Sequence, residues 1–204
     1  MKAGTIALGA LALAMPVALA AAADGVAGLR PAADFESIRD AQARSAAIFV
    51  EMGKVIAHPR CMNCHPRTDS PTQGNDMDQH YPPVTRGPDG HGAPGMECTT
   101  CHGPANVEFA NGTGSIPGHP EWHLAPKSMA WQGKSLGEIC EQIKDKARNG
   151  GKTLTQIVEH NAHDSLVGWA WNPGAGRAPA PGTQAQFGEL TKAWVASGAA
   201  CPAK

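Results

Sequence analysis

Large aromatic side chains are scarce in this chain. Of its 204 residues only 5% are aromatic, with one Tyr and four Phe, against 24 Gly and 17 Pro. So few large apolar groups among so many turn formers leave little surface to offset the entropy of ordering. That excludes a generous side-chain core and points to something else filling part of the interior. Charge of one sign is also missing, since 17 Lys and Arg face 18 Asp and Glu for a net charge of -1. The balance argues against nucleic acid or an anionic membrane as partner, because either requires a basic surface. After the N-terminus no run is apolar enough to span a bilayer. The length sets the expectation of one domain, at most with an appended segment.

The chain begins MKAGTIALGALALAMPVALAAAADG, with one early Lys, an apolar run from Ile6 to Val17, and Ala18-Leu19-Ala20 in A-x-A form. The run is too short to cross a bilayer and leads into an alanine-rich cleavage zone, so residues 1–22 read as a secretory signal peptide. The mature chain, residues 23–204, is then expected in an oxidising compartment, most simply a bacterial periplasm, where spare thiols pair.

From Phe35 to Ile56, apolar or small residues fall at Phe35, Ile38, Ala46, Phe49, Gly53 and Ile56. This three-and-four spacing predicts an amphipathic helix ended by Pro59. The stretch from Arg60 to Ser128 holds most of the Pro, Gly, Asn and Asp and has almost no periodicity. A loop that long needs another scaffold to organise it. Pattern returns at Ser135, where Ser-Leu-Gly-Glu is a capping box ahead of the stripe Leu136, Ile139, Cys140 and Ile143, with a stop at Asn149 to Gly151. A second helix is expected over Leu154 to His163. A further capping box at Thr183 and Gln186 starts the stripe Phe187, Leu190 and Trp194. Trp169, Trp171 and Trp194 supply the bulk of this C-terminal part.

What the chain has in quantity is histidine and cysteine, nine and six respectively. Four of the cysteines form two C-x-x-C-H motifs, Cys61-Met62-Asn63-Cys64-His65 and Cys98-Thr99-Thr100-Cys101-His102. On a helical turn, residues three apart share a face and the next lies beside them. Such a face can present two thiols to the vinyl groups of a haem while the histidine meets the iron, which is c-type haem attachment. C-x-x-C pairs also build zinc sites, but zinc has no reason to demand a His after each pair. Two covalently bound haem c groups are therefore expected, attached at Cys61 and Cys64 and at Cys98 and Cys101, with His65 and His102 as iron ligands. They are the scaffold the long loop calls for.

The chain resembles a dihaem c-type cytochrome. More narrowly, HPRCMNCHP, RGPDGHG, MECTTCHGP, WHLAPKSMAWQGKS, LVGWAWNPGAGR and APGTQAQFG resemble the periplasmic cytochrome subunits labelled isoquinoline 1-oxidoreductase subunit, which accompany molybdenum-containing hydroxylases. The likeness runs from about His58 to Pro202. It implies a mainly α fold, dihaem cytochrome c-like, with long irregular haem-wrapping loops over about 58–130, a helical part over about 135–202, and little or no sheet. It also implies an electron-transfer subunit that is not itself an enzyme, with a periplasmic molybdenum hydroxylase as donor and a respiratory acceptor downstream. A general respiratory shuttle and a small haem enzyme of peroxidase type are the competing readings.

Electron-carrying haems usually hold a sixth ligand, His or Met. His80, fifteen residues after His65 in a Pro/Gly-rich loop, is the first choice for the first haem, with Met77 behind it. His123, flanked by Trp122 and Leu124, is the first choice for the second, with Met129 and His119 as alternatives; His91, among glycines, is open to either haem or to a plain turn role. His160 and His163, spaced i, i+3 beside Asp164, read as a solvated or hydrogen-bonded helix face. Arg60, Arg67 and Arg86 either neutralise haem propionates, dock an acidic partner or stand as isolated surface charges. Cys140 and Cys201 are left over and are expected to form a disulfide contributing about 2–4 kcal/mol.

Overall fold

Helix caps written into the sequence organise the C-terminal part. Ser135 Oγ and Thr183 Oγ1 each accept from the backbone N–H three residues on, at 3.2 Å, and Glu138 and Gln186 return the bond to the cap N–H at 2.8 and 3.0 Å. Thr153 and Gln156 form a third such box, with the same three-residue spacing in the sequence. The computed structural model describes Met1 and residues 28–204. Apart from Met1, the expected signal peptide lies outside the described residues.

The helices are α1 (Ala41–Ile56), α2 (Pro59–Met62), α3 (Leu136–Lys144), α4 (Leu154–His163), α5 (Ser165–Gly168) and α6 (Gln184–Ala196). Between α2 and α3 the chain forms three minimal antiparallel hairpins: β1 (Thr72–Gln73) with β2 (Asp78–Gln79), β3 (Gly92–Ala93) with β4 (Met96–Glu97), and β5 (Val107–Glu108) with β6 (Ser115–Ile116). The described residues are 39% helix and 7% strand, so the architecture is mainly helical with only short sheets.

Helix α6 is the hub, packing on α1 along one side and α4 along the other. Its stripe of Phe187, Leu190 and Trp194 is buried, as the spacing predicts. Trp194, 0% exposed, meets Phe49 of α1 at 5.1 Å between ring centres. Each buried side chain of this size contributes about 1.5–3 kcal/mol. On the α4 side Gly188 allows close approach, because a Cβ there would stand 2.5 Å from the Ala162 methyl. Trp169 and Trp171 are only half-buried, leaving Trp194 as the bulk of the packed centre. The Cys140–Cys201 disulfide is present, with Cα atoms 5.6 Å apart, and fastens the C-terminal tail to α3.

Three boundaries differ from the sequence reading. Helix α1 starts at Ala41, because the Asp40 carboxylate accepts from Ala43 N–H at 2.7 Å and caps it there; Phe35 sits in a preceding 3-10 turn. Pro59 does not end α1 but opens α2 as its first residue, where a missing N–H costs nothing. Helix α3 stops at Lys144, and Asn149 folds the following turn by bonding Ile143 O and Lys152 O through Nδ2 at 2.7 and 2.9 Å.

Candidate functional site

The first C-x-x-C-H motif is shaped by its own flanks. His58 Nδ1 accepts from Arg60 N–H at 3.2 Å, capping the turn that carries Cys61. Cys64 N–H and His65 N–H both donate back to Cys61 O, at 3.1 and 3.2 Å, so the two thiols and the imidazole share one helical face. The segment from Ala125 to Gln132 passes alongside. Ala125 N–H donates to Cys64 O at 3.2 Å, Trp131 N–H to His65 O at 3.0 Å, and Gln132 Nε2 to Met62 O at 3.1 Å. His65 Nδ1 lies 2.7 Å from Met129 O, and its ring stacks on Trp131 with centres 3.4 Å apart. A carbonyl only accepts, so the proton is on Nδ1 and the lone pair is on Nε2. Burial holds the His65 pKa down at about 3, keeping the ring neutral.

The second motif repeats the plan nearer the surface. A 3-10 turn over Cys98–Thr100 lets Cys101 N–H and His102 N–H donate to Cys98 O at 3.2 and 2.9 Å. His102 Nδ1 sits 2.7 Å from Pro117 O and its ring stacks on Trp122 at 4.7 Å. Burial lowers its pKa as well. Gly90 adopts φ +95 so that the loop can lie against Leu124, whose N–H donates to Gly90 O at 2.9 Å. A Cβ at Gly90 would meet Leu124 O at 2.8 Å.

All four motif thiols are free. Burial pushes the Cys61 thiol up to about 12 and the Cys64 thiol up to about 11, and Cys98 is close enough to contribute to the Cys64 shift. Among the described residues, no group of three or more His, Cys, Asp or Glu could hold a metal ion.

Cys61, Cys64 and His65 line a cavity of ≈ 190 Å³ that opens to solvent. Ile56, Ile143, Ile157 and Phe187 line it from the helices, with Met129, Trp131 and Trp169. His160 of α4 also reaches it, its Nδ1 held by Asp164 Oδ2 at 3.0 Å. The sequence reading of a hydrogen-bonded face missed that cavity, since it forms only when α4 packs opposite a distant loop. His163, one turn further along α4, is exposed, 3.9 Å from Glu159.

The remaining candidates are dispersed. His80 stands beside His102, ring centres 6.0 Å apart, and not beside His65. His123 bonds Glu121 O through Nδ1, stacks on His91 at 4.9 Å, and borders both the main cavity and a shallower hollow with Arg86, Lys127 and Lys152. His91 is exposed next to Asp89. His119 has both nitrogens engaged, Nδ1 accepting from Glu121 N–H and Nε2 bonding Ser165 Oγ, each at 3.0 Å, so it keeps no lone pair for iron. Met129 is buried on the His65 side, while Met77 is exposed in a hairpin turn with φ 57.

Donors in the wall of this cavity lack protein partners. Arg60, 4% exposed, lines the cavity and bonds only the Gly74 carbonyl and Asn75 Oδ1, leaving Nε without a partner. Trp131, 8% exposed, likewise has an unpartnered Nε1–H. Arg177 lies near enough to Arg60 to lower its pKa further after burial, and it bonds only Ser115 and Pro173 oxygens. Two neighbouring guanidiniums without a carboxylate, and orphaned donors in the cavity wall, suit a flat apolar group that carries its own carboxylates. Arg86 is buried too, with Nη1 donating to Ala125 O at 2.6 Å, and Arg67 is exposed. No protein-family model, curated protein or solved structure matches the chain.

Proposed function

We propose that the chain is an exported dihaem c-type cytochrome that carries electrons, one haem fixed at Cys61, Cys64 and His65 and the other at Cys98, Cys101 and His102. The observation that carries this reading is the repeated imidazole geometry. Each motif histidine follows a C-x-x-C pair on a helical turn and is held at Nδ1 by a backbone carbonyl 2.7 Å away, with a Trp stacked on its ring. That hydrogen bond fixes the tautomer in which Nε2 is the ligand and raises its basicity. The cysteine chemistry agrees, since the motif thiols are free while the two outside the motifs are bonded.

Bound haem supplies a one-electron iron couple at each site. The protein's part is to hold, orient and enclose it. Arg60, Arg177 and the Trp131 indole N–H offer donors to propionates in the interior. Apolar side chains from α1, α3, α4 and α6 exclude water around His65. The second motif, with Cys101 exposed, gives the partner-facing edge. The donor we propose, following the sequence resemblance, is a molybdenum hydroxylase. Hydroxylation of a heterocycle or aldehyde by water releases two electrons, and two one-electron centres accept one turnover. Docking at an exposed haem edge needs only a modest, transient interface.

One observation favours the competing reading of a haem enzyme: His160, held by Asp164 in the cavity of His65, is also how an acid/base pair over an open iron would be arranged. Expression in a host with cytochrome c maturation, followed by intact mass and by optical and EPR spectra, tests both. Two covalent haems with low-spin signals support the carrier. A high-spin ferric centre would move the assignment to an enzyme, and a polypeptide mass without haem would end both. Reduction of both haems on mixing with the hydroxylase and its substrate tests the donor, and reduction only by unrelated donors would leave a general shuttle.

A further inference from the structure

We propose that His80 is the sixth ligand of the second haem, opposite His102, so that a loop anchored at the first motif closes the second site. This rests on the dihaem reading above. The ring centres of His80 and His102 are 6.0 Å apart and tilted by 60°. Two imidazoles bound to one metal, each nitrogen about 2.0–2.1 Å from it with the ring centre roughly 1.1 Å further out, stand about 6.2–6.4 Å apart. An ordinary tilted aromatic pair falls in the same range, so the separation alone does not decide.

The nitrogens decide between them. His80 Nδ1 lies 2.8 Å from Pro82 O, as His102 Nδ1 lies 2.7 Å from Pro117 O. Carbonyls accept, so both rings carry their proton on Nδ1 and both lone pairs are on Nε2. Neither Nε2 has a hydrogen-bond partner among the described residues. Packing of two rings gives no reason for both to be locked in the same tautomer with the same nitrogen unused. Ligation of one iron does, and it uses the same orienting bond at each side.

The path of the chain explains why this loop reaches the second site. His80 directly follows β2, whose partner β1 is tied to the first motif by Thr72 Oγ1 donating to Asn63 Oδ1 at 2.6 Å. Asn63 Nδ2 donates to Gly74 O at 3.0 Å, and Tyr81 N–H donates to Gln73 Oε1 at 3.1 Å. The hairpin is thus moored beside Cys64 and places its histidine beside His102 of the second motif. A ligand crossing between the sites keeps them in one rigid unit.

The test is the spectrum of His80→Ala in the mature, haem-loaded protein. The expected result is that one of the two haems passes from low spin to high spin and that added imidazole restores it. In a background of Cys98→Ala and Cys101→Ala, which leaves only the first haem attached, His80→Ala should change nothing. Two low-spin haems in His80→Ala, or a change in the single-haem background, overturns the assignment. Should His80→Ala fail to accumulate, His80→Met is read instead: a new His/Met signature in one haem supports the proposal, and an unchanged spectrum refutes it. Intact mass separates these outcomes from failure of the dihaem reading, since that failure appears as missing haem in the unsubstituted protein.

Discussion

Replacing both Cys140 and Cys201 with Ala is expected to cost about 4 kcal/mol, nearly all of it through the unfolded chain. The bond closes a loop with a sequence separation of 61, for which the chain-entropy relation gives about 4.3 kcal/mol at 25 °C. The folded state keeps the tail in place without it. Trp194 Nε1 donates to Ala200 O, Ala199 N–H to Trp194 O and Ala200 N–H to Ser45 Oγ, each at 2.9 Å. Cys140 itself is fully buried between α3 and the core, so an Ala there leaves only a sulfur-sized gap. At about 2–4 °C per kcal/mol for a chain of this size, the melting midpoint should fall by about 8–16 °C while the visible spectrum of the folded protein is unchanged. Denaturant unfolding of haem-loaded protein gives the free energy, and a steeper denaturant slope is expected because the unlinked chain expands further. A loss below about 1 kcal/mol, or a loss with an altered native spectrum, would refute the entropic account.

Asn149→Ala should lower stability by about 2–3 kcal/mol, since it strips partners from the buried Ile143 carbonyl, the half-buried Lys152 carbonyl and Lys152 N–H, which donates to Asn149 Oδ1 at 2.7 Å; an unchanged melting midpoint would show that the turn holds itself. Burial, and then the Arg60 charge, put the His58 pKa below its ordinary 6.5. Between that lowered value and 6.5 the unfolded chain binds the extra proton, so this contribution is complete above 6.5 and is lost as pH falls through the window. His58→Asn keeps a capping acceptor that does not titrate, and its melting midpoint should fall less between about pH 7 and 5; an identical slope would remove His58 as the cause. On the dihaem reading, His160→Ala should alter only the haem attached at Cys61 and Cys64, and a spectral change that disappears when Cys61 and Cys64 are retained and Cys98 and Cys101 are removed would place His160 at the other site.

Much of the helical framework was legible because its signals are local. A capping box needs only residues three apart, and Ser135 with Glu138 and Thr183 with Gln186 form the bonds their spacing predicts. The stripe Phe187, Leu190 and Trp194 needs only the helical period to find the core. Where local signals compete the sequence is ambiguous, as at Asp40. Its carboxylate caps α1 five residues after the apolar pattern begins. Pro59 is compatible with ending one helix or starting the next, and the His58 cap chooses the second.

The sequence by itself determined the chemistry on offer: two C-x-x-C-H turns, a surplus of imidazoles, and two spare cysteines. The pairing of Cys140 with Cys201 could be read by elimination, because only two thiols remained. Which histidine stands where was decided by tertiary structure alone. His80 is nearer in sequence to His65, yet its hairpin is moored by Asn63 and Thr72 and ends beside His102. His160 belongs to a helix that looks amphipathic in isolation, and only the packing of α4 on α6 brings it to the cavity of His65. Imidazoles on loops have no periodicity to fix their direction, so their partners follow from long-range hydrogen bonds and packing that spacing along the chain does not encode.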